Sequence, residues 1–124
     1  MIRVAIALML MAFPAMADDR PHLLCGGNEP FWSLELDIEE ATYTAPDSPQ
    51  IDYTMPHVAK AEGRNWPRVL TLLATQDTAL AILRPMQCDD TMSDREYDWT
   101  IDLLTQRRGE AIALTGCCRL RPAQ

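Results

Sequence analysis

The chain has 124 residues, with 18 acidic against 11 basic side chains and a formal net charge of −7. That length suits one small domain and not two. So acidic a surface repels phosphate backbones and anionic lipid, which argues against nucleic acid and membrane surfaces as partners.

The first 17 residues read as a secretory leader. Arg3 supplies a positive start, Val4 to Phe13 is an apolar run, and Ala15-Met16-Ala17 is an A-x-A cleavage site followed at once by Asp18-Asp19. The run is too short for a membrane-spanning helix, so no stable span is expected once the leader is cut after Ala17. Leu24 before Cys25, and the charges of Asp18-Asp19-Arg20, speak against a lipid-anchored cysteine. Removing residues 1–17 takes Arg3 with it, leaving 10 basic against 18 acidic side chains and a net charge of −8. The expected organisation is a leader at 1–17, a polar lead at 18–24, one β domain at 25–118 and a tail at 119–124.

Within the domain, Gly26-Gly27-Asn28 reads as a turn. From it Trp32, Leu34, Leu36 and Ile38 alternate with Ser33, Glu35, Asp37 and Glu39, the period-two pattern of a half-buried antiparallel strand. Two further strands are expected at 41–45 and 51–55, with Pro46 to Pro49 as the loop between them and Pro56 ending the second. Residues 57–67 are less regular and fit either a strand or one helical turn stopped at Gly63; Pro67 puts Trp66 at an edge or a strand start. Val69–Ala74 and Thr78–Leu83 are short, apolar and turn-bounded, so they read as strands, with Gln76-Asp77 in the turn. A polar loop, 86–96, leads to a strand on which Tyr97, Trp99, Ile101 and Leu103 share a face. A hairpin at 106–110, with Gly109 at positive φ, then joins the last strand, 111–118. The sum is an all-β, mainly antiparallel domain, a small barrel or sandwich of seven or eight short strands.

All four cysteines, Cys25, Cys88, Cys117 and Cys118, lie after the leader. An even count in an exported chain implies two disulfides. A vicinal Cys117–Cys118 ring is strained, and strand neighbours point to opposite faces, so each should bond a distant partner. Two pairings satisfy this; the expectation adopted is Cys25–Cys118 with Cys88–Cys117.

Three pieces of this sequence, in order, resemble a family of small exported bacterial proteins with no established activity. They are Gly27-Asn28-Glu29-Pro30-Phe31-Trp32 leading into a strand, Cys88-Asp89-Asp90-Thr91-Met92-Ser93-Asp94 followed by Tyr97, and Gly116-Cys117-Cys118 on the final strand. The resemblance covers about residues 25–118 and implies an envelope location and a β-rich fold. It departs at Thr91, where the family pattern has a glycine suited to a tight turn. By fold-level analogy the family keeps company with periplasmic lysozyme inhibitors, but the Ser-Gly-x-x-Tyr type of inhibitory loop is absent: Ser48 is followed by Pro49 and Ser93 by Asp94.

No catalytic constellation stands out. Nucleophilic chemistry needs an activated Ser or Cys beside a base. The two histidines, His22 and His57, have no evident Ser33 or Ser93 partner, and the cysteines are expected to be oxidised. Loop carboxylates such as Asp89 and Asp94 more often cap turns than move protons. The expected function is therefore a non-enzymatic, cofactor-free accessory or binding protein, periplasmic or secreted, acting on an envelope protein or a small ligand. Glu29, Phe31, Asp89, Asp90 and Asp94 are its candidate binding surface. Asp94 is also expected to pair with Arg95 or Arg119, and Glu29 to accept backbone N–H bonds. One alternative is copper or metal binding through the thioethers of Met86 and Met92. Another is lysozyme-type inhibition.

Overall fold

The computed structural model describes residues 11–12, 22–92 and 94–121. The expected leader and its cleavage site lie outside the described residues, Met11 and Ala12 apart, and so does Ser93. The strands are β1 (Leu23–Asn28), β2 (Phe31–Leu36), β3 (Glu40–Ala45), β4 (Ser48–Lys60), β5 (Arg68–Leu73), β6 (Thr78–Arg84), β7 (Trp99–Thr105) and β8 (Ile112–Leu120). Each pairs antiparallel with the next, and β1 also pairs with β8, so the sheet closes into an eight-stranded barrel.

The interior is filled by alternate residues of every strand. Leu34, Leu36, Tyr53, Met55, Leu70, Leu72, Leu83, Ile101 and Leu103 are buried there. Trp32 stacks on Tyr43 at 6.3 Å between ring centroids. The period-two reading of 32–36 holds. Ile38 does not continue it: the chain turns at Asp37–Glu39, and Ile38 is 41% exposed.

Four local expectations are corrected. Gly26-Gly27-Asn28 is the end of β1, and the turn falls at Glu29-Pro30. The glycines serve close approach instead. A Cβ on Gly27 would sit 2.3 Å from Trp32 Nε1, and one on Gly116 would sit 2.2 Å from the Gly26 carbonyl oxygen. Pro56 does not end its strand. The β4–β5 ladder shifts register between Thr54 and His57, and a proline is tolerated at such a bulge because no N–H is needed there. The lead and the tail are shorter than expected, since Leu23-Leu24 belong to β1 and Arg119-Leu120 to β8.

Both expected disulfides form, Cys25–Cys118 and Cys88–Cys117, and no cysteine is free. The vicinal cysteines point to opposite sides of β8, as the pleat dictates. Cys118 faces inward and stitches β8 to β1 across the seam that closes the barrel. Cys117 takes the other side of β8 and tethers the long 85–98 connection through Cys88.

Candidate functional site: a cleft on the outer wall

On β1 the residues opposite to the core face are Leu24, Gly26 and Asn28; on β2 they are Phe31, Ser33 and Glu35. The register sets them side by side: Asn28 against Phe31, Gly26 against Ser33, Leu24 against Glu35. Gly26 has no side chain, so this part of the wall is hollow. The 85–98 connection stands beside it, pinned by the Cys88–Cys117 bond and by an isolated bridge between Cys88 and Tyr97. Together they enclose a cleft of about 430 Å³ lined by the outer residues of β1 and β2, Asp90, Arg95, Tyr97 and Arg119.

Asp90 organises the connection. Its Oδ1 accepts the Met92 N–H at 3.0 Å and its Oδ2 accepts the Tyr97 hydroxyl at 3.0 Å. Its backbone carbonyl accepts a bond from the Asn28 side-chain amide, which joins the loop to the end of β1. Asp89 Oδ1 accepts the Thr91 N–H at 2.8 Å. These are Asx-type turns, each carboxylate bonding the backbone two residues on. They hold Thr91 at a φ of 66°, in the left-handed region that favours glycine.

The cleft differs in character along its length. At one end Phe31 is 56% exposed, an aromatic beside a strand-held turn. At the other end the half-buried Arg119 side chain makes no ion pair or hydrogen bond among the described residues. Asn28 and Leu24, which mark the two ends on β1, lie four residues apart, about 13 Å along a strand. Glu35 does not neutralise Arg119, because its carboxylate is taken by Arg121 at 2.8 Å. Arg121 also reaches Asp37 at 3.5 Å, and its backbone N–H bonds the His22 carbonyl, so this ion-pair group ties the entry to β1 to the exit from β8.

Of the residues proposed from sequence, Phe31 and Asp90 line the cleft. Glu29 and Asp89 fall in an adjoining hollow of about 290 Å³ on the far side of Asn28. Glu29 is exposed and accepts no hydrogen bond among the described residues, contrary to expectation. Asp94 is exposed and pairs with neither Arg95 nor Arg119; the loop is held to β8 by the disulfide instead. Met86 and Met92 are 53% and 66% exposed, and Cys88 is spent in its disulfide. Among the described residues no three His, Cys, Asp or Glu side chains converge as a metal-ligand group. Ser33 bonds the Thr44 hydroxyl across the strands, and His22 pairs with Asp37 at 3.3 Å.

One polar cluster has only a faint signal in the sequence, a lone Asp after Gln76 and an Arg-Arg-Gly turn. Asp77, which sequence places in a turn, has no exposed side-chain surface. Its carboxylate accepts bonds from the buried Tyr53 hydroxyl and from the Gln106 N–H at 3.1 Å, with Arg107 Nε 3.9 Å away. Arg107, on the 3₁₀ turn Arg107–Gly109 between β7 and β8, stacks over the Tyr43 ring at 4.2 Å. Burial, and then the hydrogen bond to Asp77 and its charge, push the Tyr53 phenol well above its ordinary range. The cluster anchors the β7–β8 turn to the β5–β6 turn.

Fold and site together define a disulfide-stapled, closed antiparallel β-barrel with a cleft on its outer wall. Compared with family models, with curated proteins and with solved structures, the chain matches none.

Proposed function

We propose that this chain is a non-enzymatic binding or accessory protein of the bacterial cell envelope, periplasmic or secreted, and that its ligand docks in the outer-wall cleft. The observation that carries the reading is the build of the cleft. Its floor is made of paired strand residues around the bare Gly26, and its flanking loop is fixed by a disulfide and by the Asp90 hydrogen bonds. A site mounted on strands and tied down on its loop side loses little freedom when a ligand arrives. The exposed Phe31 supplies an aromatic anchor, the residue type that dominates binding energy at such sites.

Two disulfides with no free thiol are what an oxidising compartment produces. The leader-like start and the three-motif resemblance support the envelope assignment. Ser33, the cleft's hydroxyl on β2, bonds the Thr44 hydroxyl, which fits a site that holds a ligand without transforming it.

Photocrosslinking tests this directly. A benzophenone amino acid replaces Phe31, and separately Thr42 on the outer face of β3, in protein secreted by the producing cell. One discrete adduct from position 31 that is missing from position 42 is the expected result. Equal labelling from both positions would remove the cleft as a binding site. Turnover on a hydrolase or oxidoreductase panel that His57→Ala abolishes would remove the non-enzymatic reading.

A further inference from the structure

The outer-wall cleft carries a charge that no described residue answers. Arg119 stands on β8 in one row with Leu24 on β1 and Glu35 on β2. Its side chain is half-buried and makes no ion pair or hydrogen bond among the described residues. In a chain of net charge −7 acids outnumber bases, so a cleft guanidinium that stays unpaired is informative. The two carboxylates of the cleft lining are both spent. Glu35 holds Arg121 at 2.8 Å, and the two oxygens of Asp90 accept the Met92 N–H and the Tyr97 hydroxyl. Arg95, the other arginine of the lining, already has a partner. Half-burial takes water from the Arg119 guanidinium, and no protein acceptor among the described residues replaces it.

We infer that the cleft takes a small organic monocarboxylate with an aromatic or aliphatic body, its carboxylate on Arg119 and its body running over Gly26 toward Phe31. This rests on the reading of the cleft as the docking site and adds the class of ligand. The guanidinium fork matches the two oxygens of a carboxylate. One spare guanidinium balances one negative charge, and a dianion would bring a second into the negative field of the chain. The rest of the path is apolar or bare: Leu24 beside Arg119, then Gly26, then the exposed Phe31. Its two ends on β1 lie about 13 Å apart, a length that a ring on a short chain bridges once the arginine stem takes its share. A peptide fits less well. The barrel is closed, so the backbone groups of β1 and β2 are paired on both sides and offer an incoming main chain no partners.

Chemical-shift titration of the isotope-labelled, oxidised protein with phenylbutyrate, from about 0.1 to 20 mM, tests this in the range of weak small-ligand binding. The expected result is a saturable shift confined to amides of β1, β2, the 85–98 connection and the end of β8. Phenylbutyramide, which has the same body and no charge, binds roughly tenfold more weakly. Arg119→Gln removes that preference and leaves both compounds at the weaker affinity. Phe31→Ala weakens the two alike and keeps the preference. Both substitutions lie off the buried core, and the unperturbed remainder of the spectrum checks that each variant keeps the native fold. No saturable shift with phenylbutyrate, equal binding of acid and amide, or a preference that survives Arg119→Gln each overturns the inference. Tighter binding of phenyl phosphate assigns a dianion, tighter binding of an acetylated Phe-Ala-Ala tripeptide assigns a peptide terminus, and either also overturns it. The crosslink from position 31 decides separately whether the cleft binds anything. An adduct there without a preference for the acid leaves the docking site standing and removes only its carboxylate.

Discussion

Thr91 sits in the left-handed region that β-branched residues avoid, held there by the Asp89 and Asp90 turns. Forcing an L-residue with a Cβ into that region costs roughly 1–2 kcal/mol, partly offset by the lower unfolded-state entropy of threonine relative to glycine. Thr91→Gly is therefore expected to stabilise the protein by about 0.5–1 kcal/mol in urea denaturation. A lower midpoint would mean that the threonine makes an interaction worth more than its strain. Gly27 is the reverse case. An added Cβ meets Trp32 Nε1 at 2.3 Å and the Thr115 carbonyl at 2.8 Å, so Gly27→Ala forces the indole off its place. A loss of about 1–3 kcal/mol is expected by the same assay, with a changed near-ultraviolet tryptophan signal. From sequence alone this glycine reads as a turn residue, since a missing side chain looks the same whether it frees φ or makes room for a neighbour.

The two disulfides act on different elements. Cys25–Cys118 joins residues 93 apart and closes the barrel seam, while Cys88–Cys117 spans 29 and tethers only the 85–98 connection. Loop-closure entropy assigns them about 4.7 and 3.6 kcal/mol respectively. Replacing Cys88 and Cys117 by serine should leave the barrel amides protected in hydrogen exchange and release those of 85–98. Replacing Cys25 and Cys118 should lower protection along β1 and β8. Equal loss everywhere in both variants would show that loop and barrel unfold as one unit. The alternation in 32–36 and 99–103, and the short turn-bounded apolar run of 78–83, make those strands legible from residues alone. β4 is legible only over 51–55: its start at Ser48 reads as loop, and its run past Pro56 needs a bulge, which depends on the partner strand that local sequence does not describe.

For the whole molecule the informative titration is that of Tyr53. Its phenol is raised in the folded barrel relative to an ordinary tyrosine at 10.0. Above that pH the unfolded chain releases the proton while the folded one keeps it. Stability is thus fully present below about pH 10 and falls as pH rises beyond it. Urea midpoints between about pH 8 and 11.5 should decline with that onset, and Tyr53→Phe should flatten the decline. At neutral pH the same substitution is expected to cost about 1–3 kcal/mol, since the buried Asp77 carboxylate loses a donor. A slope unchanged in Tyr53→Phe would assign the alkaline transition to other groups.

What the residues determined by themselves is local. They set strand periodicity, and the even cysteine count together with the opposite-facing Cys117 and Cys118 excluded a vicinal ring. Phe31, off the core face, and Asp90, in a turn-forming loop, were also visible as surface candidates. What only the tertiary structure decided depends on residues far apart in sequence. The β1–β8 pairing chose a closed barrel over a sandwich. The Cys88 tether brought Asp90 and Tyr97 against Gly26, Phe31 and Arg119 to make one cleft. Asp77 went from a turn to a buried acceptor because Tyr53 and Gln106 meet there. Periodicity is a property of neighbours along the chain and survives without a fold. Closure, burial of a turn carboxylate and assembly of a cleft depend on which distant backbone segments pair.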